Sequence, residues 1–318
     1  GGYQVVEGPL EVGALAGFMM YLQRFMGPLR ALANVTDPAT RLIAGLERFF
    51  MYMDIEPEID DNNATVSVDT VEGDIAFRDV WFRYEDQDIL KGVDFHASPG
   101  QTIALVGPSG SGKSTILKHL LRLYPVGPET ISIFGRDIAE IEEDDELDFY
   151  LKIGVFYQNG ALLNSLSVAE NVALPLEQHT SLPNEIIEDM VRTKLHLVNL
   201  EDAYYLYPSQ LSGGMLKRAA LARAIIMDPP LLFCDEPGAG LDPVSLAMLD
   251  NLILKLRHQL GMTVVMITHE VSSIKRIADK VLFIQDGLIA FEGSIAEAQE
   301  SELKPLKNFF NAGTGKIE

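Results

Sequence analysis

Cys234 is the single cysteine in 318 residues, so no intramolecular disulfide is possible. It lies in the apolar run Leu231 to Cys234, which reads as a buried strand, and a reducing cytoplasm is the expected setting. Positive charge is also scarce. Against 46 Asp and Glu there are 25 Lys and Arg, a net charge of −21. That balance excludes a broad cationic surface for nucleic acid and disfavours adsorption to an anionic membrane. A spanning helix needs about 20 apolar residues, whereas the run Val12 to Leu22 is followed by Gln23 and Arg24 and then by Pro28. The opening has neither methionine nor a charged-then-apolar leader, as expected at a truncation boundary. Internal repeats and a long coiled coil are absent. His96, His119, His179, His196 and His258 lack ligand spacing, and the acidic run Glu140, Glu142, Glu143, Asp144, Asp145, Glu146, Asp148 lacks the glycine and spacing of a calcium loop, so it reads as a solvated face.

The length suits one large or two modest domains, and 47% apolar content supports a substantial core. Residues 1–65 stand apart. Leu42, Leu46, Phe49, Phe50 and Met53 fall at helical spacing as one apolar stripe, and Asp60 to Ala64 reads as a linker. From Gly73 the pattern alternates through Ile75, Phe77, Val80, Phe82 and Tyr84, then Ile89, Val93 and Phe95, which predicts an antiparallel platform. Thr102 to Val106, Ile153 to Tyr157, Leu231 to Cys234 and Thr263 to Thr268 are short apolar runs between helical stretches, the pattern of a parallel sheet covered on both faces. Val168 to Ile226 is mostly helical in period and predicts an inserted subdomain.

Directly after the first apolar run come Gly107, Pro108, Ser109, Gly110, Ser111, Gly112, Lys113, Ser114 and Thr115. Strand, glycine-rich turn and helix form a phosphate cradle: backbone N–H groups turn inward, Lys113 reaches the β- and γ-phosphates of a nucleotide, and Ser114 is placed to hold Mg²⁺. Asp235 closes a strand of four apolar residues, where its carboxylate reaches the same ion. Such a loop serves many nucleotide enzymes. A second motif about a hundred residues on, Leu211, Ser212, Gly213, Gly214 and Met215, narrows the field, together with Asp235, Glu236 and His269. As a set these residues resemble the ABC-type ATPases over residues 72 to 312.

The resemblance implies a P-loop NTPase with a RecA-like α/β core, an antiparallel β platform and a helical subdomain at about 160–226, within an ATPase domain of residues 66–312 and before a tail of 313–318. It implies ATP and Mg²⁺ as ligands. Glu236 would polarise the attacking water, His269 would contact the γ-phosphate, and Gln158 would sense the metal and the water. Tyr84 would stack on adenine, although a strand tyrosine is also ordinary packing. The segment Leu211 to Met215 would touch the ATP of a second, head-to-tail protomer, and Asp242 would couple the two sites. Gly238, where the family usually has Thr or Ser, is expected to loosen the loop that carries Asp242.

Subfamily resemblances diverge. Arg24 to Leu29 and Glu47 to Ile59 look like the junction where an ABC exporter's membrane domain enters its ATPase, although an amphipathic helical arm packed on its own domain would give the same stripe. Asn159 to Leu176, Pro208 to Arg218, Asp235 to Pro243 and Leu306 to Phe310 are similar to the ATPase subunits of Mla-type phospholipid transporters. The expectation is an ATP-hydrolysing, peripheral subunit on the cytoplasmic face of the inner membrane, driving a membrane permease and binding no nucleic acid. The alternatives are a fragment of an exporter with a fused membrane domain and, less favoured, a soluble ABC ATPase or a degenerate nucleotide-binding module.

Overall fold

A computed structural model describes residues 16–26 and 73–312. The chain divides into two units, Gly1–Val68 and Asp69–Glu318. In the first, residues 16–26 form helix α1, whose Phe18, Met20, Tyr21 and Phe25 are all more than half exposed. The stripe from Leu42 to Met53, the segment Glu47 to Ile59 and the linker at Asp60 lie outside the described residues. Among the described residues no helix is long and apolar enough to cross a membrane.

The second unit is built on two sheets. The alternating stretch after Gly73 pairs as β1 (Ile75–Tyr84) and β2 (Gln87–Ala97), antiparallel from Ile75 opposite Ala97 to Tyr84 opposite Gln87. With β4 (Ile131–Ile133) and β5 (Arg136–Asp137) they make a four-stranded antiparallel platform in the order β2-β1-β4-β5. The apolar runs become β3 (Thr102–Val106), β6 (Ile153–Phe156), β7 (Leu231–Asp235) and β8 (Thr263–Ile267). They join β9 (Lys280–Gln285) and β10 (Leu288–Ser294) in a six-stranded sheet, order β10-β9-β3-β8-β7-β6, parallel throughout except for the β10 edge. Uninterrupted apolar strands suit a sheet with both faces covered, and β3 and β8 are buried at every residue.

Side-chain alternation then divides the core. Leu231 and Phe233 face the platform side with Ile103, Leu105 and Val265, while Leu232 and Cys234 face the helices with Val264 and Met266. The helical side holds α4 (Val168–His179), α5 (Asn184–Leu197), α6 (Gly213–Ala224) and α7 (Pro243–Leu260), the first three being the inserted subdomain. Helix α2 (Lys113–Leu120) follows β3, and the acidic run folds as the exposed first turns of α3 (Glu143–Leu151). The β9–β10 hairpin, absent from the sequence reading, packs with α8 (Val271–Ile277), α9 (Ile295–Glu300) and α10 (Lys304–Ala312) through Phe283, Ile274, Ala298, Leu306 and Phe310.

The end of the loop between β6 and α4 is fastened by the Asn171 side chain. Asn171 is fully buried. Its Oδ1 accepts from the Leu163 N–H at 2.7 Å, and its Nδ2 donates to the carbonyls of Leu163, Leu166 and Ser167 at 2.9 to 3.1 Å. Ser167 caps α4 reciprocally with Glu170. Asn171→Ala strands several buried backbone groups at once, and about 3 kcal/mol of stability should be lost, on the order of two unsatisfied groups. Urea unfolding followed by circular dichroism measures it, and an unchanged midpoint would remove Asn171 from the framework.

Candidate active site

The carboxyl ends of neighbouring parallel strands meet in one cleft of about 670 Å³, within the range of small-molecule sites. Strand β3 delivers Gly107, Ser109, Gly110, Gly112, Lys113, Ser114 and Thr115 to it. The ends of β6, β7 and β8 deliver Gln158, Asp235 with Glu236, and His269, while β1 supplies Tyr84. Residues from five separate stretches of sequence therefore share one cleft: the parallel register points the ends of β3, β6, β7 and β8 the same way, and the antiparallel platform adds Tyr84.

The turn after β3 depends on glycine for two separate reasons. Gly107 has φ 145°, and a Cβ there would stand 2.1 Å from the Ile284 carbonyl oxygen of β9. Gly112 has φ 108°, caps α2 in the left-handed region and abuts Leu90 of the platform. Ser111 is buried behind the loop. Lys113 curls back over it: its ammonium donates to the carbonyls of Gly107 at 2.8 Å and Pro108 at 2.7 Å. Burial lowers the Lys113 pKa, and the negative charge of Glu236 partly restores it.

Across the cleft, burial raises the Asp235 pKa, and the neighbouring charge of Glu236 adds to the effect. Glu236 sits in the left-handed region at φ 49°, a strained conformation for a residue with a side chain. Its N–H donates to the Ile267 carbonyl at 2.9 Å, and its Oε2 accepts from His269 Nδ1 at 2.6 Å. The residue is thus held at its backbone by Ile267 and at its carboxylate by His269. Ser114, Gln158 and Asp235 bring hydroxyl, amide and carboxylate oxygens to the cleft. Hard oxygen donors with only one carboxylate suit Mg²⁺ that takes its remaining ligands from phosphate and water.

Tyr84 is exposed at the rim. Phe82, two residues earlier on the same face of β1, also lines the cleft and stacks on Tyr124 with ring centroids 4.8 Å apart. Period-two spacing could have found Phe82, whereas Tyr124 arrives from a loop and carries no signal. Leu211, Ser212, Gly213, Gly214, Met215 and Asp242 do not line this cleft; they lie together elsewhere on the unit. Ser212 caps α6, its Oγ accepting from the Met215 N–H at 3.3 Å, and Asp242 caps α7 through the N–H groups of Val244 and Ser245 at 3.0 Å. A Cβ on Gly213 would stand 3.9 Å from Leu241, and one on Gly214 would stand 3.8 Å from Ser245. Gly238 corrects one expectation. It is buried with Leu246 2.2 Å from where a Cβ would stand, so glycine here makes room for a close packing contact and does not loosen the loop.

A phosphate cradle, a carboxylate pair at a strand end and a platform tyrosine define a nucleotide-binding ATPase site on a P-loop fold. Residues 90–239 match the ABC transporter family. The intermembrane phospholipid transport ATP-binding protein MlaF of Haemophilus influenzae is 37% identical over 229 residues, 72% of this chain and 86% of that protein. A probable ribonucleotide transport ATP-binding protein of Mycobacterium leprae is 39% identical over 61% of this chain and 56% of its own length. Among solved structures, a dimeric ATP-binding cassette in a post-hydrolysis state with ADP and Pi superimposes with a TM-score of 0.62 at 28% identity, covering 70% of this chain and 98% of that one. The chain belongs to the ATP-binding subunits of ABC transporters and is an ATP hydrolase.

Gly107→Ala should weaken ATP binding by at least about tenfold, since the new methyl group forces the cradle against β9 at a backbone strain of 1–3 kcal/mol. Titration with a fluorescent ATP analogue measures this. Wild-type affinity would show that the cradle is not the nucleotide site.

Proposed function

We propose that this chain powers phospholipid movement by a separate membrane permease, on the cytoplasmic face of the inner membrane. The observation that carries the reading is the joint placement of Lys113, Gln158, Asp235, Glu236 and His269 in the cleft beneath Tyr84. In this proposal the N–H groups of residues 107–115 cradle the phosphates, Lys113 leaves its own loop carbonyls for the β- and γ-phosphates, and Tyr84 stacks on adenine. Ser114, Gln158 and Asp235 would hold Mg²⁺, which when bound neutralises charge on the phosphates. Glu236, steadied by His269 and by its N–H bond to the Ile267 carbonyl, accepts the proton of the attacking water. His269 also contacts the γ-phosphate.

Ser212, Gly213 and Gly214 do not line the cleft of their own chain, which supports a head-to-tail pair in which each protomer completes the other's site, with the Asp242 loop beside the contact. Residues 66–312 then form the ATPase domain. The surface from Leu162 to Pro175, including exposed Leu163, is where the permease would dock. Phospholipid is favoured as cargo by the greater share of this chain that matches MlaF. A second reading rests on α1: an exposed apolar helix favours residues 1–65 as the end of a fused exporter membrane domain.

Reconstitution with an Mla-type permease in liposomes carrying a labelled phospholipid separates these readings. The wild-type chain, with or without residues 1–60, should move lipid when ATP is added. Glu236→Gln should bind ATP normally yet hydrolyse it about a hundredfold more slowly, the usual loss of a general base, and should move none. Hydrolysis without response to the permease in either length would favour the fused exporter.

A further inference from the structure

Helix α6 begins at the Ser212 motif and then carries, on one side, the loop that leaves the cleft at Gln158. Three contacts hold the two together. Lys217 donates its ammonium to the Gln158 carbonyl. Arg223 donates to the carbonyls of Gly160 at 2.9 Å and Ala161 at 2.7 Å. Gly160, at φ 72°, lies so close that a Cβ there would stand 3.2 Å from the Cβ of Ala220. Lysine and arginine, six residues apart on the helix, thus bind three carbonyls of one loop, those of Gln158, Gly160 and Ala161.

Lys217 is unusual among these groups. It is buried, with 8% of its surface exposed, and among the described residues it makes no direct ion pair, the charge of Glu236 acting on it only from beyond contact distance. Its described partners are the Gln158 carbonyl and, 5.8 Å from the ring centroid, Phe156, the last residue of the strand that leads into Gln158. A buried ammonium without a carboxylate in direct contact is costly to stability, and an apolar side chain of similar length would fill the same space on the helix. The site therefore keeps a charge whose one hydrogen bond among the described residues goes to the backbone of Gln158.

We propose that Lys217 is the positioning residue for Gln158, joining the motif that meets a partner's nucleotide to the glutamine of the chain's own site. The inference rests on the reading given above, and adds that α6 moves the Gln158 loop as one piece with Ser212. When the start of α6 is drawn onto a partner's ATP, Lys217 and Arg223 carry the loop carbonyls with it, and the Gln158 side chain is brought to its working place. Lys217 itself does not line the cleft. Its effect belongs in turnover and not in ATP affinity.

The test compares steady-state ATP hydrolysis by the full chain and by Lys217→Met, Lys217→Arg and Lys217→Gln, with melting temperatures measured in parallel. Met removes the charge but keeps length and apolar packing. The expected result is a kcat lowered between about threefold and thirtyfold, the scale of mutations along a coupling element, with KM for ATP within twofold and the melting temperature unchanged or higher. Arg should restore most of the activity by donating to the same carbonyl, and Gln, which keeps a donor without the charge, should fall between. Wild-type kcat in Lys217→Met would overturn the proposal, as would loss shared equally by KM or failure of Arg to rescue. Should Met not fold, the Arg and Gln pair decides the matter by the same criteria. Active wild type with unaffected variants would sink this inference alone, whereas an inactive wild type would sink the functional reading and this inference with it.

Discussion

Charge buried before its partner arrives is the constraint on which the site depends. Burial lowers the Lys113 pKa on one wall of the cleft and raises the Asp235 pKa on the other. Lys113 satisfies its ammonium on its own loop carbonyls, and Glu236 leans on His269. These are provisional contacts. A polyphosphate with its cation would supply what both walls lack, an anion for the lysine and a positive charge for the carboxylates, so the free energy of binding is drawn from a framework already holding opposite charges apart.

The sheet makes that separation possible. Four adjacent parallel strands, β3, β8, β7 and β6, place the lysine, the histidine, the carboxylates and the glutamine at one edge, while the buried hydroxyls at the opposite ends of β3 and β8, Thr102 and Thr263, are engaged by Arg257 and by the Gly100 N–H. Strain at Glu236 and close approach at Gly107 are tolerated because each is backed by packed backbone, through Ile267 and Ile284. On the helical side, Asn171, Arg223 and Lys217 fasten the loop after β6 almost entirely through its backbone. Such fastening leaves its exposed side chains free to vary with a partner while the geometry at Gln158 is kept.

Much of this was legible in the residues. Alternation from Ile75 to Tyr84 gave the platform strand, and the run Thr102 to Val106 followed by glycines gave the cradle, since a period of two and a strand-turn-helix pattern are local properties. The cleft at strand ends followed from parallel order. What escaped was long-range. Tyr124 reaches Phe82 only through the fold, Lys217 reads as an ordinary helix lysine until its burial is seen, and Gly238 looked like a source of freedom because the place of Leu246 could not be known. The β9–β10 hairpin escaped although Val281 to Ile284 is an apolar run, because only pairing with β3 marks it as part of the same sheet.

In the proposed head-to-tail pair, each cleft is incomplete until a second chain adds its Ser212 motif. Sedimentation velocity in a Glu236→Gln background, with and without Ser212→Arg, tests it most directly. With ATP and Mg²⁺ the Glu236→Gln chain should sediment as a dimer and without nucleotide as a monomer. Adding Ser212→Arg should leave ATP binding intact and the chain monomeric. An equal dimer with Ser212→Arg, or a dimer that ignores nucleotide, would contradict the account.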